Sequence, residues 1–221
     1  MSWMGKFIGS KAKRAQQPSP TARSPGAYEL QFGSDPSVKI ELAVHHIIDW
    51  ARLRDTWNRM VDDGHYATLC AWLYAVGFDV NNIYYETEES QTPVKIVQSM
   101  MRQADVDLVA DGDEIHQRIT WSTWNLVQGP KEDTRTDDQG NFHDTFAEVA
   151  GLSDSERADM VCTDAVYTAM AAMTLTAPVP AARAQQLTKA LLGVNRNAKV
   201  IKYRAAMWDG SKEAGWHKKP R

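Results

Sequence analysis

Histidine is the side chain best suited to proton transfer and metal binding near neutral pH, and this chain has six. His45 and His46 are adjacent in a segment that alternates as a strand does, so their side chains are expected on opposite faces. They therefore cannot hold one metal ion together. Zinc proteases carry an H-E-x-x-H motif on a helix, and the chain has no such motif. We predict no metal site.

Two loops resemble ion-binding or phosphate-binding motifs, but their spacing is wrong. An EF-hand loop needs oxygen ligands at positions 1, 3 and 5 and glycine at position 6. Counted from Asp133, position 3 is Arg135 and position 6 is Asp138. In the N-terminal GKFIGSK, Gly5 and Gly9 are one residue closer than the glycines of a phosphate-binding loop. Neither segment indicates a cofactor.

The two cysteines, Cys70 and Cys162, are too few and too far apart for a disulfide framework or a cysteine zinc site. Both lie among apolar residues, which predicts that they are core residues in a reducing, intracellular compartment. The G-x-S-x-G motif of hydrolases is also absent from the sequence. We therefore predict a protein without catalytic residues or a cofactor, and not an enzyme.

Charge is distributed unevenly along the chain, although the net charge is only −3. Residues 1–25 carry +5 and residues 183–221 carry +8, which leaves −16 on residues 26–182. Basic ends on an acidic body predict contacts with anionic partners. The acidic body could also meet the basic ends of a second copy, so we expect self-assembly.

The N-terminal residues 1–27 are predicted to be a disordered, basic, proline-containing arm with an apolar tip. No run of about 18 apolar residues and no signal-peptide core occurs, so we expect neither a spanning helix nor secretion. An apolar tip followed by basic residues is typical of attachment to an anionic membrane surface. The predicted membrane-binding residues are Trp3, Met4, Lys6, Phe7, Ile8, Lys11, Lys13 and Arg14. Docking of Trp3 on the body is the alternative.

The C-terminal residues 209–221 are predicted to be a basic tail that follows a basic strand. Aromatic side chains among basic residues can stack on single-stranded RNA or lie at a lipid interface. The predicted RNA-binding or partner-binding residues are Lys199, Lys202, Arg204, Trp216, Lys218, Lys219 and Arg221.

Hydrophobic periodicity predicts helices and strands in the body that joins these ends. Residues 38–44 alternate as a half-buried strand does, and Asp49 caps a predicted helix that Gly64 closes. The apolar run 66–78 fits a helix or a strand equally well. The tryptophans predicted to lie in the core are Trp50, Trp57, Trp72, Trp121 and Trp124.

Helix signals are stronger toward the C-terminus. A capping box at Ser153 and Glu156 opens a predicted helix to about Leu175, and another helix is predicted over 181–192. The other predicted elements are strands at 83–85, 115–123 and 199–204, a helix from Pro93 and a polar loop over 128–141. We predict an α+β fold, in which helices pack on a small, mostly antiparallel sheet in a single domain of residues 28–208. An all-α bundle is the alternative.

Three stretches of the chain resemble the matrix proteins of rhabdoviruses. They are MSWMGKFIGSKAKRAQQPSPTARSPGAYE, VKIELAVHHIIDWARLRDTWNRM and RAQQLTKALLGVNRNAKVIKYRAAMWDGS, about a third of the chain. In that family, similar stretches form a lysine-rich arm, a strand followed by a helix, and a closing helix, glycine and strand. The resemblance implies a structural protein of the virion that self-assembles and bridges anionic membrane to the viral nucleocapsid during budding. It also implies a location in the host cytoplasm, at the inner face of the membrane and in the virion.

The motifs by which this family recruits host budding machinery are only half present. Arg23 follows P-T-A at 20–22 where a second proline is expected, and Pro25 and Tyr28 are wrongly spaced for P-P-x-Y. The residues also leave a second function open, that of an RNA-packaging nucleocapsid or coat protein. The acidic body favours the matrix interpretation, because a broad RNA groove needs basic walls.

Overall fold

The computed structural model describes residues 30–32, 35–40, 42–78, 97, 118–130, 149–211 and 215–219. The predicted arm over 1–27, the strand at 83–85 and the start of the helix at Pro93 lie outside these residues. The elements are three antiparallel strand pairs and four helices of two turns or more, within the described part of the chain. The α+β prediction is confirmed, and the all-α alternative is wrong.

The four helices are α1 (Trp50–Asp62), α2 (Tyr66–Ala75), α3 (Asp154–Ala171) and α4 (Ala181–Leu192). Asp49 caps α1 as predicted, because its side chain accepts a 2.8 Å hydrogen bond from the backbone N–H of Arg52. The apolar run after Gly64 is helical. Its residues are buried on nearly all sides of α2, which suits a central helix that packs against both α1 and α4.

The helical core forms around two tryptophans. Trp57 of α1 and Trp72 of α2 are fully buried and meet edge to face, with ring centroids 5.5 Å apart. Trp50 and Trp124 are also buried, as predicted. Trp121 is only half-buried, because it lies at the edge of this core beside His46.

The strands pair antiparallel in three separate ladders. β1 (Leu30–Phe32) pairs with β2 (Asp35–Ile40) and β3 (Leu42–His46) pairs with β4 (Leu126–Pro130). β5 (Trp208–Ser211) and β6 (Gly215–Lys218) form a hairpin. Because β5 begins at Trp208 and β6 lies in the predicted tail, the boundary drawn at residue 208 passes through this hairpin.

A second core joins this hairpin to the ladder of β3 and β4. It contains Ile47, Val127, Met160, Ile201 and Trp208, all buried. The Trp208 ring lies so close to Gly129 that any side chain at that position would clash with it. The backbone N–H of Ala150 donates to the Lys219 carbonyl at 2.9 Å, and the backbone N–H of Lys219 donates to the Met207 carbonyl at 2.8 Å. Much of the predicted tail is therefore fixed to the body.

Two strand predictions are wrong. Residues 118–120 of the predicted strand 115–123 are helical, and a 3-10 turn follows at Thr123–Asn125. The alternation was misleading because Ile119 and Trp124 are buried in the same helical core rather than on one face of a sheet. In the predicted edge strand 199–204, only Ile201 pairs, in a single parallel bridge to Val127.

Two boundaries also differ from the predictions. The first three residues of the polar loop predicted over 128–141 belong to β4, because Gln128 pairs with Val44 and the strand continues to Pro130, and the rest of the predicted loop lies outside the described residues. Ladder hydrogen bonds require no apolar side chain, so polar residues can extend a strand. The helix from the confirmed capping box ends at Ala171, four residues before Leu175.

Candidate functional site

A long stretch of the C-terminal half contains no acid. Residues 165–208 include six Lys or Arg residues and no Asp or Glu. Five of the six are exposed, and we call them the basic segment: Arg183, Lys189, Arg196, Lys199 and Lys202. By contrast, α3 carries acidic side chains at Asp154, Glu156, Asp159 and Asp164. Exposed cations without neighbouring acids in sequence are suited to an anionic partner.

Arg204, the sixth cation, is held by a carboxylate of the body. Its guanidinium forms a fork on Glu156, with the first contact at 2.7 Å, and also donates to the Gly151 carbonyl at 3.0 Å. The hydrogen bonds from Arg204, together with those from Ser153, lower the pKa of the Glu156 carboxyl group to about 2. Arg204 was predicted to contact RNA or a partner, but its pairing with Glu156 gives it a structural role, because it joins the C-terminal stretch to the start of α3.

The other predicted binding residues are exposed, half-buried or outside the described part of the chain. Lys199, Lys202 and Lys219 are exposed, and Lys218 is half-buried. The side chain of Trp216 and the whole of Arg221 lie outside the described part of the chain, as do all eight predicted membrane-binding residues.

A cavity of about 120 Å³ lies at the C-terminal end of α2, and we call it the tryptophan pocket. It is lined by the end of α2 and by six residues from two other parts of the chain. These residues are Arg118, Trp121, Ser122, Thr123, Trp124 and Arg196. The helical turn at 118–120 and the 3-10 turn position the first five, whereas Arg196 comes from the turn after α4.

Hydrogen bonds to the end of α2 fix two of these side chains. The indole N–H of Trp124 donates to the Ala75 carbonyl at 3.1 Å, and Arg118 donates to the Gly77 carbonyl at 2.9 Å. Such contacts satisfy carbonyl groups that a helix end leaves without partners. These two hydrogen bonds join the wall of the pocket to the end of α2.

Aromatic rings hold both guanidinium groups of the pocket. The guanidinium of Arg196 lies over the Tyr74 ring, 4.8 Å from its centroid, and that of Arg118 lies 5.0 Å from the centroid of Phe78. A guanidinium that rests on an aromatic face keeps its N–H edges directed outward. The pocket thus combines flat aromatic surface with two positive charges.

The sequence did not identify this pocket. Trp121 and Trp124 were predicted to be core residues, Trp121 within a strand, and neither arginine was singled out. The R-x-x-W-S-T-W pattern at 118–124 is a local signal that joins Arg118 to the two indoles. Arg196 is remote in sequence and is brought to the pocket by the packing of α4 on α2.

Two adjacent histidines of the described part of the chain make structural contacts. His45 and His46 are buried, and each donates from Nε2 to a backbone carbonyl, that of Pro130 at 2.7 Å and that of Thr120 at 2.6 Å. Among the described residues, no group of three or more His, Cys, Asp or Glu is placed to hold a metal ion. Both cysteines are half-buried rather than core residues, and burial raises the pKa of the Cys70 thiol.

No protein-family model, curated protein or solved structure matches this chain. Over the residues that the structure describes, no helix is both long enough and apolar enough to cross a membrane.

Proposed function

We propose that this chain is a non-enzymatic structural protein of the matrix type, which self-assembles and bridges an anionic membrane to a viral nucleocapsid. The observation that carries the proposal is the basic segment, five exposed cations in a stretch without acids, on a chain whose other end is also basic. The resemblance to rhabdovirus matrix proteins agrees with this distribution of charge. The protein would act in the host cytoplasm, at the inner face of the membrane and in the virion.

The membrane contact is assigned to the N-terminal arm. Each basic residue near an anionic leaflet contributes about 1 kcal/mol, so the arm's charge of +5 supports reversible attachment. Trp3, Phe7 and Ile8 add apolar side chains suited to the interface.

Co-sedimentation with vesicles tests this contact. The full chain should sediment with phosphatidylserine vesicles but not with phosphatidylcholine vesicles, and a chain that lacks residues 1–14 should remain in solution with both. Retention of the shortened chain on the anionic vesicles would contradict the assignment of the arm.

The nucleocapsid contact is assigned to the basic segment. The affinity for single-stranded nucleic acid falls as salt rises, and each phosphate contact adds about 0.7 to the steepness of log affinity plotted against log salt concentration. If all five cations contact phosphates, we expect a falling line with a slope on the order of 3 to 4 in magnitude. Lys202→Gln should lower this slope by about 0.7.

Arg54→Gln is the matched control, because Arg54 is a cation of α1 that already pairs with Asp55 at 2.7 Å. This variant should leave the slope unchanged. A slope near zero for the unmodified chain would contradict the proposal that RNA is a partner of this protein.

An RNA-packaging nucleocapsid or coat protein is the second candidate, because the same basic segment favours it. The two functions differ in their dependence on lipid. A packaging protein should bind RNA and assemble with it while failing to sediment with anionic vesicles.

A further inference from the structure

We propose that the tryptophan pocket binds one nucleotide of single-stranded RNA, with the base against Trp121 and the phosphate on Arg196. The proposal rests on the RNA contact of the proposed function and names a site for it. Most of the basic segment can attract a phosphate backbone, but it offers no surface to a base. The pocket is the place where described aromatic and cationic side chains meet around a cavity.

The aromatic wall can accept a base. Trp121 is half-buried and lines the cavity, and its ring is supported by His46, with centroids 5.3 Å apart. The cavity of about 120 Å³ is smaller than an engineered apolar cavity of about 150 Å³ that binds benzene, but it is half open to solvent. A base can therefore stack at its mouth without being enclosed, and single-stranded RNA presents its unstacked bases for such stacking.

The cationic wall can accept the adjoining phosphate. Arg196 is exposed, and Tyr74 beneath its guanidinium holds it flat. A guanidinium in this position can donate two parallel hydrogen bonds to phosphate oxygens. Lys199, exposed and three residues further along, is available to the next phosphate. The pocket thus continues into the basic segment.

The polar groups in the wall favour a nucleotide over a lipid chain. Arg196 lines the cavity and is exposed, and an acyl chain there would remove its charge from water without giving it a partner. The polar edge of a base can form hydrogen bonds with such a group. We therefore commit to RNA, and binding of lipid is an outcome of the test.

The test compares a labelled single-stranded RNA with an abasic oligonucleotide of equal length and charge, by fluorescence anisotropy on the full chain. Trp121→Leu removes the stacking surface without a change of charge, so it should weaken RNA binding about 5-fold or more. Its effect on the abasic oligonucleotide should be less than 2-fold. Trp121→Phe keeps an aromatic ring and should restore most of the RNA affinity, with circular dichroism to confirm folding.

A matched pair of charge variants separates the pocket from general attraction. Lys189→Gln and Arg196→Gln each remove one exposed cation of the basic segment. Because a base stacked on Trp121 is what fixes the adjoining phosphate at Arg196, Arg196→Gln should also reduce the preference for RNA over the abasic oligonucleotide, whereas Lys189→Gln should lower both affinities equally.

Three outcomes would overturn the proposal while leaving the proposed function intact. They are RNA binding that Trp121→Leu and Arg196→Gln do not change, equal binding of both oligonucleotides by the unmodified chain, and loss of co-sedimentation with phosphatidylserine vesicles, but not of RNA binding, in Trp121→Leu. Absence of any salt-sensitive RNA binding would instead contradict the RNA contact of the proposed function itself.

Discussion

Replacing Glu156 with glutamine isolates the charge interaction that joins the C-terminal stretch to α3. Glutamine at this position can still serve the capping box with Ser153, because either Glu or Gln accepts the backbone N–H of the cap. What is lost is the ionic part of the fork with Arg204. The variant therefore tests the ion pair with little disturbance of the helix start.

The pKa of Glu156 gives an upper limit for the effect. Lowering it from 4.5 to about 2 would correspond to roughly 3 kcal/mol, at 1.36 kcal/mol per pKa unit. The Arg204 side chain keeps 39% of its exposure, so water screens the pair strongly. We expect Glu156→Gln to lower the free energy of unfolding by about 1 kcal/mol at pH 7.

The pH dependence of this difference has a definite sign. A carboxyl group whose pKa is lower in the folded state stabilises the fold above its unfolded pKa, near 4.5, and loses that contribution as pH falls toward about 2. Urea unfolding of the two proteins should therefore differ fully at pH 7 and progressively less below pH 4.5. Asp154→Asn, in the same first turn of α3, is the control and should cost only about 0.3 kcal/mol. Equal stability of Glu156→Gln and the unmodified chain at pH 7 would refute the reasoning.

Two further substitutions test how the rest of the body is held. Asp63 accepts from the backbone N–H of Val179 at 2.7 Å and pairs with Arg59, so Asp63→Ala should lower the free energy of unfolding by about 2 kcal/mol. In urea titrations Asp63→Asn, which keeps an acceptor oxygen, should lose less, and equal losses would contradict this role. Gly129→Ala places a methyl group against the Trp208 ring and should cost about 1–3 kcal/mol, with a changed near-ultraviolet circular dichroism signal. An unchanged signal and midpoint would show that Trp208 does not pack on β4.

Helices that begin and end with local signals could be predicted from the sequence. Asp49 caps α1 through its own side chain, and the contacts of Ser153 and Glu156 lie within one turn of α3. Gly193 marks the end of α4. In each case the residues that fix the boundary are within four positions of it, so no knowledge of the tertiary structure was needed.

Elements that depend on distant partners could not be predicted in this way. Trp124 was predicted to lie in the core, but its partner was not: the Ala75 carbonyl of α2 accepts the indole N–H from 49 positions away. Ile201 joins β4 through two backbone hydrogen bonds, because its N–H donates to the Leu126 carbonyl and its carbonyl accepts from the N–H of Gln128. The residues next to Ile201 in sequence give no sign of these distant partners. The same limit applies to the tryptophan pocket. Arg196 reaches it only through the tertiary packing of α4.

The net charge of each end of the chain could be counted from the sequence alone. Which of these charges are already paired within the fold could not be known from that count. Arg204 counts toward the C-terminal charge of +8, yet it is already paired with Glu156. The five cations of the basic segment are exposed, and we propose that they make the contact with an anionic partner.

Bridging is the central claim, and flotation of RNA with vesicles tests it most directly. Labelled single-stranded RNA is mixed with phosphatidylserine vesicles and floated through a density gradient. RNA and these vesicles are both anionic and repel each other, so RNA should rise only when the full chain is present. A chain without residues 1–14, or one with Lys199→Gln and Lys202→Gln, should leave most of the RNA at the bottom. RNA that stays at the bottom with the full chain would contradict the account.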